Sequence, residues 1–222
     1  MRVKDLYETK TTSYDPYVYP NTNILINNQN IINQEDLNKF ERLNVSLKLV
    51  DLHLYEVEAL DAYILFDINH LKNIHEYLFE DIYPFAGIFR NVDIVKGNTM
   101  FCKAMYVEKK LKELLLCMKK DMLTVKNRNQ YLDRIAFYYA ELNLIHPFRE
   151  GNGRTIREFL REYVSLLNHL LDFVDYELNY SYMTSETLLD ATIYSVNNDH
   201  SKLIEEFDKA ICEREIQKKV RK

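Results

Sequence analysis

The sequence predicts an all-α protein, a compact helical bundle carrying one small β-hairpin. Two observations make the bundle and a third makes the hairpin. Only four glycines and four prolines interrupt 222 residues, and the stretches 98–145 and 155–222 hold neither. Within those stretches apolar residues recur at helical spacing. One segment alone, 83–103, breaks that pattern and alternates with a period of two.

Taken in order, residues 1–34 are rich in Tyr, Asn and Thr and carry Pro16 and Pro20. They read as an irregular lead-in packed on the domain, because Tyr17, Tyr19, Ile24, Leu25 and Ile26 are too apolar for a free tail. A helix is expected over 33–56, with Leu37, Phe40, Leu43, Leu47 and Val50 at helical spacing, and 59–66 continues it after a break. Asp67 is placed to cap a second helix bearing Leu71, Ile74, Leu78 and Ile82 on one face. His70 and His75, five apart and without a carboxylate pattern, read as ordinary helix residues.

Pro84 and Gly87 stop that helix. Residues 91–95 then alternate as a strand, 96–99 turn, and 100–102 return. An isolated hairpin is marginally stable, so this one needs helices or a partner strand against it. It is either a plain connection or a flap whose open edge accepts a target segment as an added strand.

Val107, Leu111, Leu114, Leu115, Met118 and Met122 make one helical stripe. After a polar break at 126–130, the helix expected over 131–144 is apolar on most sides, which places it centrally. Pro147 ends it and disfavours helix at His146. Ile156, Phe159, Leu160, Tyr163, Leu166 and Leu167 carry a further helix to about residue 169; others are expected over 185–194 and from 201 to the terminus. The organisation is a lead-in (1–34), one helical domain (35–210) and a basic end (211–222) read as a solvated helix terminus.

Bulk properties exclude several classes. A formal charge of -5 opposes nucleic-acid binding by phosphate neutralisation. No apolar run reaches membrane-spanning length, and the first residues lack a signal-peptide core. Cys102, Cys117 and Cys212 are odd in number, lack metal spacing and read as reduced core thiols. Together these give a cytoplasmic protein with neither nucleic acid nor membrane as partner.

The chemistry concentrates in His146-Pro147-Phe148-Arg149-Glu150-Gly151-Asn152-Gly153-Arg154, followed by Arg157. An imidazole precedes a metal-binding carboxylate by four residues. A Gly-Asn-Gly bend can present bare N–H groups, and a helix beginning there adds its positive end. Two arginines follow, three apart. A base, a metal ligand, an anion cradle and two phosphate clamps suggest a nucleotide-using transferase. The four glycines cannot be assembled into a Gly-x-x-x-x-Gly-Lys loop or a Gly-x-Gly-x-x-Gly fingerprint.

Residues 146–154 resemble the HPFx[D/E]GN[G]R signature of Fic-domain proteins at every defined position, and the likeness extends to Arg157 and Phe159. The segments YPNTNILINN and IYPFAGIFRNVDIVKGN resemble the family's lead-in and flap, so the resemblance covers about 17–208. It implies a Fic-type bundle with a flap at about 88–102 and the active-site motif at 146–154. His146 would be the general base for a target Ser, Thr or Tyr hydroxyl. Glu150 would hold Mg²⁺ on the phosphates of ATP, and Gly151, Asn152 and Gly153 would form the anion hole. Arg154 would clamp the phosphates and Arg157 would meet the γ-phosphate. Phe148, grouped with these, is expected to pack into the core and fix the loop. Val92, Asp93, Ile94, Val95, Lys96, Gly97 and Asn98 would pin the target backbone.

Gly153 stands where a phosphate-transferring variant of the family carries lysine, so the resemblance implies transfer of AMP. Many members also carry an inhibitory [S/T]xxxE[G/N] helix. Here Glu precedes Gly only at Glu150 and never precedes Asn, which resembles the subgroup restrained by a separate small antitoxin presenting a glutamate to Arg157. Glu205 and Glu206 are the candidates for a divergent internal counterpart. Two other readings stand beside AMP transfer: a phosphotransferase or other nucleotidyltransferase on the same scaffold, and a non-catalytic module binding nucleotide or peptide.

Overall fold

Seven α-helices stand out in the computed structural model, which describes residues 9–12, 14–54, 66–97, 99–171 and 175–214. They are α1 (Gln34–Leu54), α2 (Ile68–Phe79), α3 (Val107–Met122), α4 (Arg128–Ile145), α5 (Asn152–Leu167), α6 (Ser185–Ser195) and α7 (Ser201–Ala210). The expected helical domain is therefore present, and the caps that start it are local. The Asp67 carboxylate accepts the N–H groups of Asn69 and His70, and the Asn127 side chain accepts that of Gln130.

The central helix is α4, as its all-round apolar surface predicts. Leu132, Ile135, Ala136, Tyr139, Ala140 and Leu142 are all buried, and α3, α5, α6 and α7 pack around it. Helix α5 buries Ile156, Phe159, Leu160, Tyr163, Leu166 and Leu167 against α2 and α4. The motif thus lies in the turn between the two most buried helices, which holds its backbone rigid.

Five expectations are corrected. In α1, Leu43, Leu47 and Val50 are exposed, while Leu37 and Val45 are buried. The inward stripe therefore runs through 37, 41 and 45, and Glu41 sits in it. The hairpin, β2 (Ile94–Lys96) and β3 (Thr99–Met100), is the middle and edge of a three-stranded antiparallel sheet, because β1 (Thr9–Thr11) pairs with β2. The register is Thr9 to Lys96, Lys10 to Val95 and Thr11 to Ile94, and the Thr12 N–H adds a bond to Asp93 O at 3.1 Å. The β2 side of the hairpin is thus filled by the chain itself, while β3 remains an edge of the sheet. Helix α7 stops at Ala210 rather than running to the terminus, and β5 (Ile211–Glu213) pairs with β4 (Tyr176–Leu178). The cysteines are free but none is buried; Cys117 is exposed. Finally, His70 and His75 both have specific partners, His70 Nε2 lying 2.6 Å from a Glu162 oxygen.

In the lead-in, Leu25 is buried and Val18 is bridged to Leu25. The apolar run at 59–66, apart from Phe66, lies outside the described residues, as do Asn98 and the basic end from 215 onward. No helix among the described residues is long and apolar enough to cross a membrane.

Candidate active site

His146 closes α4 in the left-handed region (φ 48°, ψ 64°), where Pro147 after it and the helix end before it force a sharp departure. Its Nδ1 lies 3.1 Å from the carbonyl of Asn143, which can only accept. The proton therefore resides on Nδ1, and Nε2 is left bare. The ring stacks on Phe101 at 3.9 Å and 11°, so its plane is fixed from the flap side. Burial lowers its pKa to about 3, the Asn143 contact opposing and the Lys96 and Arg90 charges assisting, so the imidazole is neutral at ordinary pH.

The bend after it is stapled by its own side chains. Asn152 is buried, with Oδ1 accepting the Phe148 N–H and Nδ2 donating to the Phe148 carbonyl, both at 2.8 Å. Gly151 has φ +80°, and a Cβ there would stand 2.4 Å from Cζ of Phe79. Glycine is required at that point by both backbone and space. A Cβ at Gly153 would lie 3.3 Å from Nη1 of Arg157. Phe148 is fully buried and stacked on His75 at 3.8 Å, so it supports the loop and its side chain reaches no ligand cavity. The Gly151 N–H is engaged as well, donating to Glu150 Oε1 at 2.9 Å.

Two cavities meet at this bend. The larger, about 600 Å³, is lined by Lys96, Gly97, Thr99 and Phe101 of the flap, by His146, Glu150, Asn152, Gly153 and Arg157, and by Leu188, Leu189, Ile193 and Val196 along α6. One end is charged and the other apolar, which suits a ligand with a phosphate tail and a flat apolar head. The smaller, about 400 Å³, is lined by Asn38, Glu41, Arg42, Glu150, Gly151, Gly153, Arg154 and Arg157. Glu150, Gly153 and Arg157 belong to both, so the motif residues do converge. Of the expected flap residues, Lys96 and Gly97 face the site, whereas Val92 and Ile94 are buried in the core. Asp93 is spent on the segment that follows the flap, accepting the Ala104 N–H at 2.7 Å.

Residues 65–164 match the Fic/DOC family. Over 201 residues the chain is 31% identical to the "Probable protein adenylyltransferase y4lH" of Sinorhizobium fredii, covering 89% of this chain and 96% of that protein. The chain belongs to the Fic/DOC family. It is also 36% identical over 149 residues to the "Protein adenylyltransferase VbhT" of Bartonella schoenbuchensis, covering 67% of this chain and 30% of that longer protein. Among solved structures it is similar to BepC of Bartonella tribocorum with bound AMPPNP, with a TM-score of 0.75 and 20% identity over 90% of this chain and 97% of that one.

Around the Fic motif stand supports that the sequence alone did not reveal. Buried Arg90 donates from Nε to His146 O at 2.8 Å, from Nη1 to Val92 O at 2.7 Å, and from Nη2 to the carbonyls of Cys102 and Ile145. It therefore locks flap to motif. His75 accepts the Gly87 N–H at Nδ1 (2.8 Å), which fixes the other tautomer and lets Nε2 donate to the Glu150 carbonyl at 3.0 Å. Arg149 pairs with Asp15 at 2.7 Å and ties the lead-in to the Fic motif. Glu206, a candidate internal inhibitor, instead accepts from Thr187 at 2.8 Å and Lys209 at 2.6 Å, and neither it nor Glu205 lines these cavities.

Proposed function

We propose that this Fic domain is a protein adenylyltransferase, moving AMP from ATP to a Ser, Thr or Tyr hydroxyl of a target protein. The observation that carries the reading is the bare Nε2 of His146, on the wall of the same cavity as Glu150, Gly153 and Arg157. ATP lies with its base along α6 and its phosphates over the Gly151–Gly153 bend. His146 accepts the proton of the target hydroxyl as its oxygen bonds to the α-phosphorus. The bond from that phosphorus to the bridging oxygen breaks, and pyrophosphate leaves. Arg154 and Arg157 take up the charge of the departing phosphates, and the positive end of α5 supports them. Lys96 adds a further cation; burial lowers its pKa, and the Glu150 charge opposes that shift.

Glu150 is the residue suited to a magnesium ion. Among the described residues no group of three or more His, Cys, Asp or Glu could hold a metal by themselves. Magnesium commonly takes one or two carboxylates and completes its shell with phosphate oxygens and water. One cavity-facing carboxylate beside a phosphate site fits that habit. When bound, the ion would neutralise charge on the phosphates and help align them.

A target segment reaching Val95 to Gly97 meets β1 already paired there, so docking on that edge exchanges one strand for another. The lack of an inhibitory glutamate motif supports restraint by a separate small antitoxin that presents a glutamate to Arg157, and the chain works in the cytoplasm. The phosphotransferase reading is disfavoured by Gly153, where only a hydrogen faces Arg157. ATP labelled at the α- or the γ-phosphate decides between them. Label at the α position should pass to protein and be lost in His146→Ala, whereas transfer of γ-label alone overturns the proposal.

A further inference from the structure

We infer that Glu41 is a positioning residue for the nucleotide, holding the guanidinium of Arg154 in place at the phosphate end of the site. The inference rests on the adenylyltransferase reading, and no part of the active-site motif contains this residue. Glu41 lies on the inward stripe of α1 between Leu37 and Val45, where a helix facing a core would ordinarily carry an apolar side chain. Its Oε1 is 2.7 Å from Arg154 Nη2, and its Oε2 accepts a hydrogen bond from the Tyr83 hydroxyl. Both partners of the ion pair are largely shielded, Glu41 at 14% and Arg154 at 24% side-chain exposure. Arg154 is further fixed by the Phe79 ring, 4.8 Å from its Cζ, and by Glu150 Oε1 at 3.6 Å.

The sign of the effect follows from these contacts. A carboxylate that merely competed with phosphate would have to release Arg154 when the nucleotide arrived. Glu41 would then remain as an uncompensated charge in a shielded place, which is strongly unfavourable. Releasing Arg154 is therefore the costly path, and the guanidinium works from its anchored position with one amino group committed to Glu41. Arg154 itself lines the cavity shared with Gly151, Gly153 and Arg157. A fork already fixed in position binds phosphate with less ordering on arrival. Burial raises the carboxyl pKa of Glu41, with Glu150 adding to the rise and Arg154 opposing it, so the pair depends on Arg154 staying in place.

The test measures binding of AMPPNP to the full chain by calorimetry, with activity read separately. Arg154→Ala should weaken binding about tenfold or more, as expected for losing a charge-assisted contact. Glu41→Ala and Glu41→Gln should each weaken it by a similar factor. In the Arg154→Ala background, Glu41→Ala should add nothing, because it acts through that arginine. Tyr83→Phe, which keeps the ring and removes only the hydroxyl, should give a smaller loss of roughly two- to fivefold by loosening Glu41. Tighter or unchanged binding in both folded Glu41→Gln and Tyr83→Phe overturns the positioning role, as do losses that multiply in the double variant. If Arg154→Ala itself binds AMPPNP like the unaltered protein, the placement of the nucleotide is wrong and the inference falls with it.

Discussion

At the scale of single residues, His146 shows how backbone and chemistry are joined. A left-handed histidine is uncommon. Here the conformation turns the chain out of α4 and sets Nδ1 against Asn143 O, leaving Nε2 to the cavity. The role proposed for it as base predicts that His146→Ala lowers the rate about 10²- to 10⁴-fold with the fold intact, read by transfer kinetics and circular dichroism. Its pKa of about 3 also places the acid limb of the pH–rate profile well below the ordinary imidazole range. A limb near 6.5 would contradict the buried, neutral ring. Gly151 makes a stability prediction. A methyl there meets both a positive φ and Phe79 at 2.4 Å, so Gly151→Ala should cost about 2–4 kcal/mol in denaturant unfolding. The motif residues were legible because their types in that order have one common use. Glu41, Tyr83 and Arg90 were not, since each acts from a separate segment. The signal for Glu41 is a charge on the inward stripe, but the apolar spacing of Leu43 and Leu47, both exposed, points to a different face.

At the scale of elements, the flap and α2 carry the consequences. His75, on α2, is fully buried between the Gly87 N–H and the Glu150 carbonyl, and burial lowers its pKa to about 4. In the unfolded chain it titrates near 6.5, so the unfolded state binds a proton that the folded state refuses between those values. Stability contributed by His75 is therefore complete above pH 6.5 and is lost as pH falls toward 4, by up to about 3 kcal/mol. Thermal unfolding should show this slope, and His75→Gln should flatten it; an unchanged slope in the variant would contradict the assignment. On the flap, β1 occupies the β2 edge. Removing residues 1–12 should speed amide exchange across Ile94–Lys96 and raise the rate of target modification, whereas a slower rate would mean that β1 helps to build the docking edge. The helices were legible from long apolar periods. The strands β1, β4 and β5 were not, because three residues cannot display a period and their pairing is set by partners distant in sequence.

At the scale of the whole molecule, the fold brings four separate regions to two adjoining cavities: the flap and the apolar wall of α6 line one, the Arg154 fork backed by α1 lines the other, and the bend between α4 and α5 belongs to both. The family likeness was legible from residues 17–208, and the helical bundle followed from composition and period. The wall formed by α6 was not legible, because its apolar residues look the same in sequence whether they face a core or a ligand. That wall predicts where nucleotide selectivity lies. Leu189→Arg should abolish AMPPNP binding by filling the apolar end, while unaltered binding would place the base elsewhere. The small product reports directly which phosphorus is attacked. With ATP and an acceptor protein, turnover should release pyrophosphate in equal amount to modified protein, and His146→Ala should slow both about 10²- to 10⁴-fold. Release of ADP in its place would show attack at the γ-phosphorus and contradict transfer of AMP.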